Sequence, residues 1–382
     1  MKTNKLVMIP GPTPVVRSIQ DQMGRETVAF GDPAFVKDFK ELLEDLQTMW
    51  KTTGQVFVVA GTGTMAMEMA VANTTKRGDN VLIVSHGFFG DRFIDICERK
   101  GLNVDVLSSE WGKAVPLEEI EKKLSEKQYA AITVTHVDTA TGVCAQIKEI
   151  GDIVKKFDDT LYIVDGVCAT AAEPEYVDEM GIDVLFTGSQ KAFGVAPGLT
   201  ILWAGKKALE RRKILGTIPE YYIDFEKWIP IMNDTTKYYA TPAINMIWAL
   251  KESVRIIKEE GIENRYLRHS KQAKSVQGAL EAIGFRILAD KEHRAVTLSN
   301  VIYPEGVNDV HFRTILAEEG AMVAGGLGAY AGKMFRLGHM GNIDKHTLIS
   351  TVAAIERAAV KCGMNIEMGS ALKVLQEGLL NL

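Results

Sequence analysis

Two residues at the ends of neighbouring apolar runs carry the chemistry on which this sequence turns. Residues 161–164 (Leu-Tyr-Ile-Val) read as a buried strand that ends on Asp165, and residues 184–187 (Val-Leu-Phe-Thr) read as another, followed by Gly188-Ser189-Gln190 and then Lys191. In an α/β sheet, side chains at the carboxyl ends of adjacent strands project into one crevice, where ligands bind. An amine there can hold a carbonyl compound as a Schiff base and carry a proton, and a carboxylate facing it can keep a ring nitrogen protonated. The structural alternative is that Asp165 caps a turn and Lys191 is solvated, as most Asp and Lys residues are.

Pyridoxal phosphate needs such a pair: a Lys to hold it and an Asp to keep its pyridine nitrogen protonated, so that the ring withdraws electrons from a substrate carbanion. A phosphate site is also present in the pattern. Between an apolar run at 55–59 and a helical one lies Ala60-Gly61-Thr62-Gly63-Thr64, which offers small residues, free backbone N–H groups and two hydroxyls at a helix N-terminus, a setting that suits a phosphate. The same stretch satisfies G-x-G-x-x-A through Gly61, Gly63 and Ala66, the dinucleotide fingerprint. That fingerprint calls for an acidic residue closing the next strand, and the strand at 81–84 ends in Ser85-His86, which argues against a nicotinamide cofactor. A purely structural tight turn is the remaining alternative. Arg336 sits within the apolar run Met-Phe-Arg-Leu-Gly at 334–338. A charge there is costly unless paired, so it is either an internal salt bridge or a bidentate clamp for a substrate carboxylate. Phe89, on a loop after a strand, is either core or a ring stacked on a cofactor.

The elements that must position these residues alternate. Strand-like runs at 55–59, 81–84, 104–107, 130–135, 161–164, 184–187 and 199–204 are separated by helical stretches such as 90–100, 117–124, 147–157 and 206–215. This predicts an α/β fold with a mostly parallel sheet covered on both faces, its loops gathering on one edge. Residues 1–34, with Pro10, Pro12 and Pro14, read as an irregular arm that is either a surface strap or a drape over a pocket. Residues 35–258 read as a large domain. It opens on a helix striped with Phe35, Phe39, Leu42, Leu43 and Leu46, and contains an irregular aromatic segment at 217–241 and a long helix after Pro242. Residues 259–382 read as a small α+β domain with strands near 285–288, 296–301, 321–323 and 333–337, and an amphipathic tail carrying Leu372, Leu375, Leu379 and Leu380, which packs against its own or a partner subunit.

Composition bounds the rest. At 382 residues the chain exceeds one ordinary core, and 46% hydrophobic with 24% charged residues is the composition of a soluble globular protein. A net charge of −5 provides no basic footprint for nucleic acid or an anionic membrane. Cys97, Cys144, Cys168 and Cys362 lack metal-type spacing and read as reduced thiols of a cytosolic protein. The apolar run before Pro10 is too short for a signal sequence, and none approaches the length of a membrane span, so the expected location is cytoplasmic.

With Asp165, Ser189-Gln190-Lys191 and Arg336, the chain resembles the class V aminotransferases of the fold-type I pyridoxal-phosphate enzymes, above all their alanine–glyoxylate and serine–pyruvate (serine–glyoxylate) branch. The resemblance runs from Gly11-Pro12-Thr13-Pro14 to Phe335-Arg336-Leu337-Gly338, and Gly188-Ser189-Gln190-Lys191 before a Gly/Pro-rich turn is its most specific motif. It implies a seven-stranded large domain with a smaller α+β domain, pyridoxal 5'-phosphate as cofactor, and a homodimer with active sites at the subunit interface. Carried over by position, Lys191 is the Schiff-base lysine and proton shuttle, Asp165 pairs with the pyridine nitrogen, and Val167 packs beneath the ring. Phe89 stacks where the branch commonly has Trp. Thr62, Gly63 and Thr64 match the phosphate loop, which in that branch often reads Ser-Gly-His. Thr139 lies near the phenolic oxygen, and Gln190 adds a phosphate contact. Tyr238 and Thr241 match a pair that reaches the phosphate from the neighbouring subunit. Arg336 takes the substrate α-carboxylate, with Gly11 beside the substrate.

The implied activity is ping-pong transamination through pyridoxamine phosphate, from a small amino acid of the alanine or serine type to glyoxylate or pyruvate. Aspartate, ureidoglycine or aminoethylphosphonate are alternative donors, and the segment Ala29-Phe30-Gly31-Asp32-Pro33, where many members carry His near Phe30, bears on that choice. A cysteine desulfurase would need a nucleophilic Cys near the site, and residues 322–332 contain none. A non-catalytic cofactor carrier would tolerate loss of Lys191 or Arg336, and both are present.

Overall fold

The computed structural model describes residues 5–380; the first four residues of the predicted arm and the last two of the predicted small domain lie outside the described residues. A short strand β1 (Leu6–Val7) precedes seven strands that form the central sheet: β2 (Gln55–Ala60), β3 (Asn80–Ser85), β4 (Asn103–Ser108), β5 (Ala131–Thr135), β6 (Leu161–Asp165), β7 (Val184–Gly188) and β8 (Leu199–Ala204). β5 to β8 are buried at every position, which is what continuous apolar runs produce when helices cover both faces of a sheet. The spatial order is β2-β8-β7-β6-β5-β3-β4. Neighbours from β4 through β7 are parallel, while β8 runs antiparallel to both β7 and β2. The order reverses between β3 and β5, so a ligand site is expected beyond their carboxyl ends.

The sheet is set between helices that the sequence pattern anticipated. The helix Pro33–Met49 begins where the Asp32 side chain accepts from the N–H groups of Ala34 and Phe35, with Pro33 in its first turn, where a missing N–H costs nothing. Its buried stripe of Phe35, Phe39, Leu42 and Leu46 faces the helix Ile244–Glu260, with Phe35 edge-on to Trp248 at 5.8 Å.

Two stretches expected to be irregular contain helices. In the arm, Arg17–Met23 is helical, yet it buries a single residue, Ile19, too little to leave a period in the sequence. The segment 217–241 contains the helix Phe225–Asn233, capped by Asp224 and interrupted in pattern by Pro230. Its Trp228 and Tyr239 rings meet edge to face at 5.2 Å, so packing among aromatics, not periodicity, orders this stretch.

Beyond residue 282 come β9 (Arg286–Ile287), β10 (Leu298–Ile302), β11 (Ala321–Met322), β12 (Ala324–Gly325) and β13 (Met334–Gly338). Four of them form an antiparallel sheet in the order β12-β13-β10-β9. Phe285, Phe312, Phe335 and Tyr303 meet in a second hydrophobic core backed by the helices Ile262–Ala282 and Lys345–Lys361. The tail helix Ser370–Leu379 buries Ala371, Leu375 and Leu379 against this same chain, on Ile262–Ala282. The arm joins both parts: β1 pairs in parallel with β11, Met8 is fully buried in the second core, and the Thr13 N–H and hydroxyl donate to the carbonyls of Gln190 and Lys191 at 2.9 and 2.7 Å. The arm thus drapes over the sheet edge that carries the acid and the amine.

Candidate active site

A cavity of about 260 Å³ opens at the carboxyl ends of the parallel strands, between the N-terminus of the helix Gly63–Thr74 and the arm. Asp165 ends β6 at its floor, 3% exposed, with Oδ1 accepting from the Val167 N–H at 2.9 Å. Burial pushes its carboxyl up to about 7; the Val167 N–H opposes this, while the charges of Asp138 and Glu175 act in the same direction as burial. A cation placed against this carboxylate would restore its ionisation, because an opposite charge at contact favours the charged form.

Lys191 follows β7 by three residues and reaches the same cavity, with Nζ donating to the Pro10 carbonyl of the arm. Burial holds its ammonium below the usual lysine range; the Arg336 charge adds to that effect, and Asp165 opposes it. An amine so depressed is closer to the neutral form that a base or a nucleophile requires. Gly11 closes this side at φ +108°, and a Cβ there would stand 2.5 Å from Lys191 Cδ. A larger residue would displace the amine.

The N-terminus of a helix supplies donors to the same cavity. Thr62 caps the helix Gly63–Thr74 through its hydroxyl, which accepts from the Met65 N–H. The first N–H groups of such a helix have no intrahelical acceptor and face outward. A Cβ on Gly63 would lie 2.8 Å from Val167 Cγ2, so glycine is what lets the loop close against the cavity wall. Thr64 Oγ1 accepts from Arg92 Nη1 at 2.9 Å, and Gln190 brings to the cavity lining a carboxamide whose NH₂ group can donate. The donors of the Thr62–Thr64 loop, an acid raised by burial and an amine share the lining of one cavity, and such a set would suit pyridoxal phosphate, with Thr62, Gly63, Thr64 and Gln190 to hold its phosphate, Asp165 its ring nitrogen and Lys191 its aldehyde.

The wall is set by a residue that sequence reasoning did not single out. Asp138 is fully buried; its Oδ2 accepts from the N–H groups of Phe89 and Gly90 at 2.8 and 3.1 Å, and its Oδ1 from Ala140 N–H at 2.8 Å. Burial pushes its carboxyl up, and these three N–H groups pull it down. One carboxylate therefore caps the helix Phe88–Lys100 from another loop and fixes both Phe89 and the turn bearing Thr139. Phe89, Thr139 and Val167 all line the cavity. Arg92, also unremarked in the sequence, lines it too. An Asp three residues after a strand's end and an Arg one turn past Phe89 are visible in the sequence, but the contacts that give them meaning span tertiary distances.

Three predicted residues stand apart. Arg336, on β13, donates from Nε to the Gly325 carbonyl at 2.8 Å and does not line the cavity, although its charge is felt at Lys191. Among the described residues it makes no ion pair, so the internal salt bridge considered for it is not found. Tyr238 and Thr241 lie away from this chain's cavity, with the hydroxyl of Tyr238 3.3 Å from that of Thr241 and its ring 4.9 Å from Phe30.

A mostly parallel sheet that brings a lysine and an aspartate to one cavity beside a phosphate-type helix end is the architecture of the fold-type I transferases that work through pyridoxal phosphate. The family itself follows from the chain as a whole: the protein belongs to the class V aminotransferases, whose family model matches residues 23–343. It is 37% identical over 382 residues to an uncharacterized aminotransferase of Methanocaldococcus jannaschii, covering 98% of each chain. It is 34% identical over 374 residues to the serine–glyoxylate aminotransferase of Hyphomicrobium methylovorum, covering 95% of this chain and 92% of that one. Among solved structures, the ureidoglycine–glyoxylate aminotransferase of Bacillus subtilis superposes with a TM-score of 0.94 at 28% identity, over 100% of this chain and 99% of the other. The chain is accordingly a pyridoxal-phosphate-dependent transaminase by family.

Proposed function

We propose that this aminotransferase moves the amino group of a small amino acid, of the alanine or serine type, to glyoxylate or pyruvate by a ping-pong route, acting as a homodimer. The observation that carries the reading is the convergence of Lys191, Asp165 and the Thr62–Thr64 loop on a single cavity of about 260 Å³. For the donor we take a short side chain, of the alanine or serine type. The similarity to a serine–glyoxylate aminotransferase points the same way.

Pyridoxal phosphate, when bound, supplies the aldehyde that takes up the amino group and the ring that withdraws electrons. The remaining work falls to the chain. Lys191, its amine depressed by burial, would hold the cofactor's aldehyde and, once free, would take the proton from the donor's α-carbon. Asp165, unable to ionise comfortably alone, holds a proton on the ring nitrogen opposite it. Arg336 has a guanidinium without a carboxylate partner among the described residues, and it takes the donor's α-carboxylate in a bidentate pair. Phe89 and Val167, which both line the cavity, would confine the ring, and Gly11, by lacking a Cβ, leaves space for the donor beside Lys191. Tyr238 and Thr241, paired away from their own cavity, serve the phosphate of a second copy, which makes the dimer obligatory.

The test is a matrix of donors (alanine, serine, aspartate, glutamate, aminoethylphosphonate) against glyoxylate and pyruvate, with initial rates over both concentrations. Alanine or serine should lead, with parallel double-reciprocal lines. Aspartate in first place would favour the alternative donor class, and intersecting lines would remove the ping-pong route.

A further inference from the structure

The groups assigned so far to the cofactor phosphate are all uncharged: Thr62, Gly63, Thr64, Gln190, Tyr238 and Thr241. A phosphate monoester near neutral pH carries a charge of roughly −1.5 to −2, and a helix N-terminus offers the equivalent of about +0.5. Neutral donors and one helix end leave most of that charge without a counterpart. We infer that Arg92 is the missing counter-charge, a phosphate-binding residue of this site; the inference rests on reading the cavity as a pyridoxal-phosphate site.

The geometry carries it. Arg92 lies one turn into the helix Phe88–Lys100 and lines the cavity. Its Nη1 donates to Thr64 Oγ1 at 2.9 Å, which sets the guanidinium at the second residue of the phosphate-type helix. Its Cζ also stands 4.8 Å from the centroid of the Phe89 ring. Cation and ring at that distance attract one another, so the side chain is held from two sides. Neither partner neutralises it. Among the described residues Arg92 is in no ion pair, and its neighbour Asp91 accepts instead from the Ser85 hydroxyl at 2.6 Å. A guanidinium has five N–H donors in a planar fork; the Thr64 bond uses one, and the others are available to phosphate oxygens, for which this fork is well matched. A solvated helix cation would have no reason to bridge the phosphate loop and the stacking ring.

Discrimination between two aldehydes tests this. Apo protein, wild type and Arg92→Gln, is titrated with pyridoxal phosphate and with pyridoxal, which lacks the phosphate, following the visible absorbance of the bound aldehyde. Arg92→Gln should weaken pyridoxal phosphate on the order of 10- to 100-fold, the range for hydrogen bonds to a charged group, and leave pyridoxal within about twofold. Arg92→Lys should fall between the two, keeping charge and losing the fork. An equal loss for both aldehydes would mean that Arg92 only shapes the wall, and no loss for either would mean that the phosphate ignores it; both overturn the inference. Should Arg92→Gln fail to fold by circular dichroism, Arg92→Lys decides: an undiminished preference for the phosphorylated aldehyde overturns the proposal, and a diminished one supports it. Wild-type protein that binds neither aldehyde would instead defeat the transaminase reading on which this one stands.

Discussion

The floor of the cavity and an exposed face that stands away from it, proposed as the lip of a second copy's cavity, are built in opposite ways. At the floor, Asp165 and Lys191 are delivered by the ends of two adjacent, fully buried strands, and both have their ionisation moved by burial. At the lip, Phe30, Tyr238 and Thr241 cluster on an open face, Tyr238 58% exposed, with hydrogen bonding for its hydroxyl found in Thr241 alone among the described residues. Strand ends in a packed sheet can hold a group to the tolerance that chemistry needs. An exposed tyrosine on a loop cannot, unless something else covers it. The contrast assigns reaction chemistry to what one chain can preorganise and, on the homodimer reading, leaves to assembly what it cannot.

The contrast breaks most visibly at the floor. Lys191→Ala should lower turnover by about 10⁴-fold or more, since it removes both the attachment point and the proton carrier, and a half-reaction with donor alone, followed in the visible spectrum, checks it. The variant should remain folded, because the one side-chain hydrogen bond it forfeits is to the Pro10 carbonyl. Arg336→Ala should cost on the order of 100-fold in kcat/KM through loss of a charge-assisted bidentate contact, with little change in cofactor binding. Equal damage to cofactor affinity would place Arg336 in the scaffold.

Asp165 ties the floor to pH. Its carboxyl rises from an ordinary value of 3.8 to about 7 in the folded chain. The folded state without cofactor therefore binds the proton more tightly than the unfolded state does. The resulting stability is fully present below the unfolded value and is lost as pH rises from about 4 through about 7. Apo wild type should lose stability between pH 5 and pH 8 relative to apo Asp165→Asn. Each pH unit between the two values is worth about 1.4 kcal/mol, so the variant should lead by a few kcal/mol at pH 8. Urea unfolding at the two pH values reads this directly, and parallel behaviour of the two proteins would show that Asp165 is not the strained group.

The same contrast explains what the sequence disclosed. Residues 161–165 and 184–191 were legible because a strand buried on both faces leaves an uninterrupted apolar run, and the residue that ends it stands out. The alternation of such runs with helical stretches predicted a mostly parallel sheet, and the resemblance implied its seven strands. Asp138 and Arg92 did not stand out: one is a carboxylate serving three N–H groups across two loops, the other a guanidinium on a helix face, and neither changes any local period. The helix Phe225–Asn233 was hidden by Pro230 and by its dense aromatic surroundings, and Arg17–Met23 by its single buried residue. The pairing of β1 with β11 joins residues more than 300 positions apart, beyond the reach of any pattern read along the chain.

The smallest expected effect is also the one that separates floor from lip. Tyr238→Phe and Thr241→Ala each remove a single hydrogen-bonding hydroxyl, so in the assembled enzyme each should weaken cofactor binding by about tenfold. In a monomer acting alone neither should matter, because both residues stand away from their own cavity. Mixing subunits makes the distinction sharp. A Lys191→Ala chain carries a dead floor and a sound lip; a chain with both Tyr238→Phe and Thr241→Ala carries a sound floor and a weakened lip. If lips serve partner floors, a hybrid of the two contains one site with the sound floor of one chain and the sound lip of the other. At cofactor concentrations that leave the double variant mostly empty, mixing should then restore activity in up to half of the hybrid's sites. If each lip served its own floor, the hybrid would hold one dead site and one weakened site, and mixing would restore nothing.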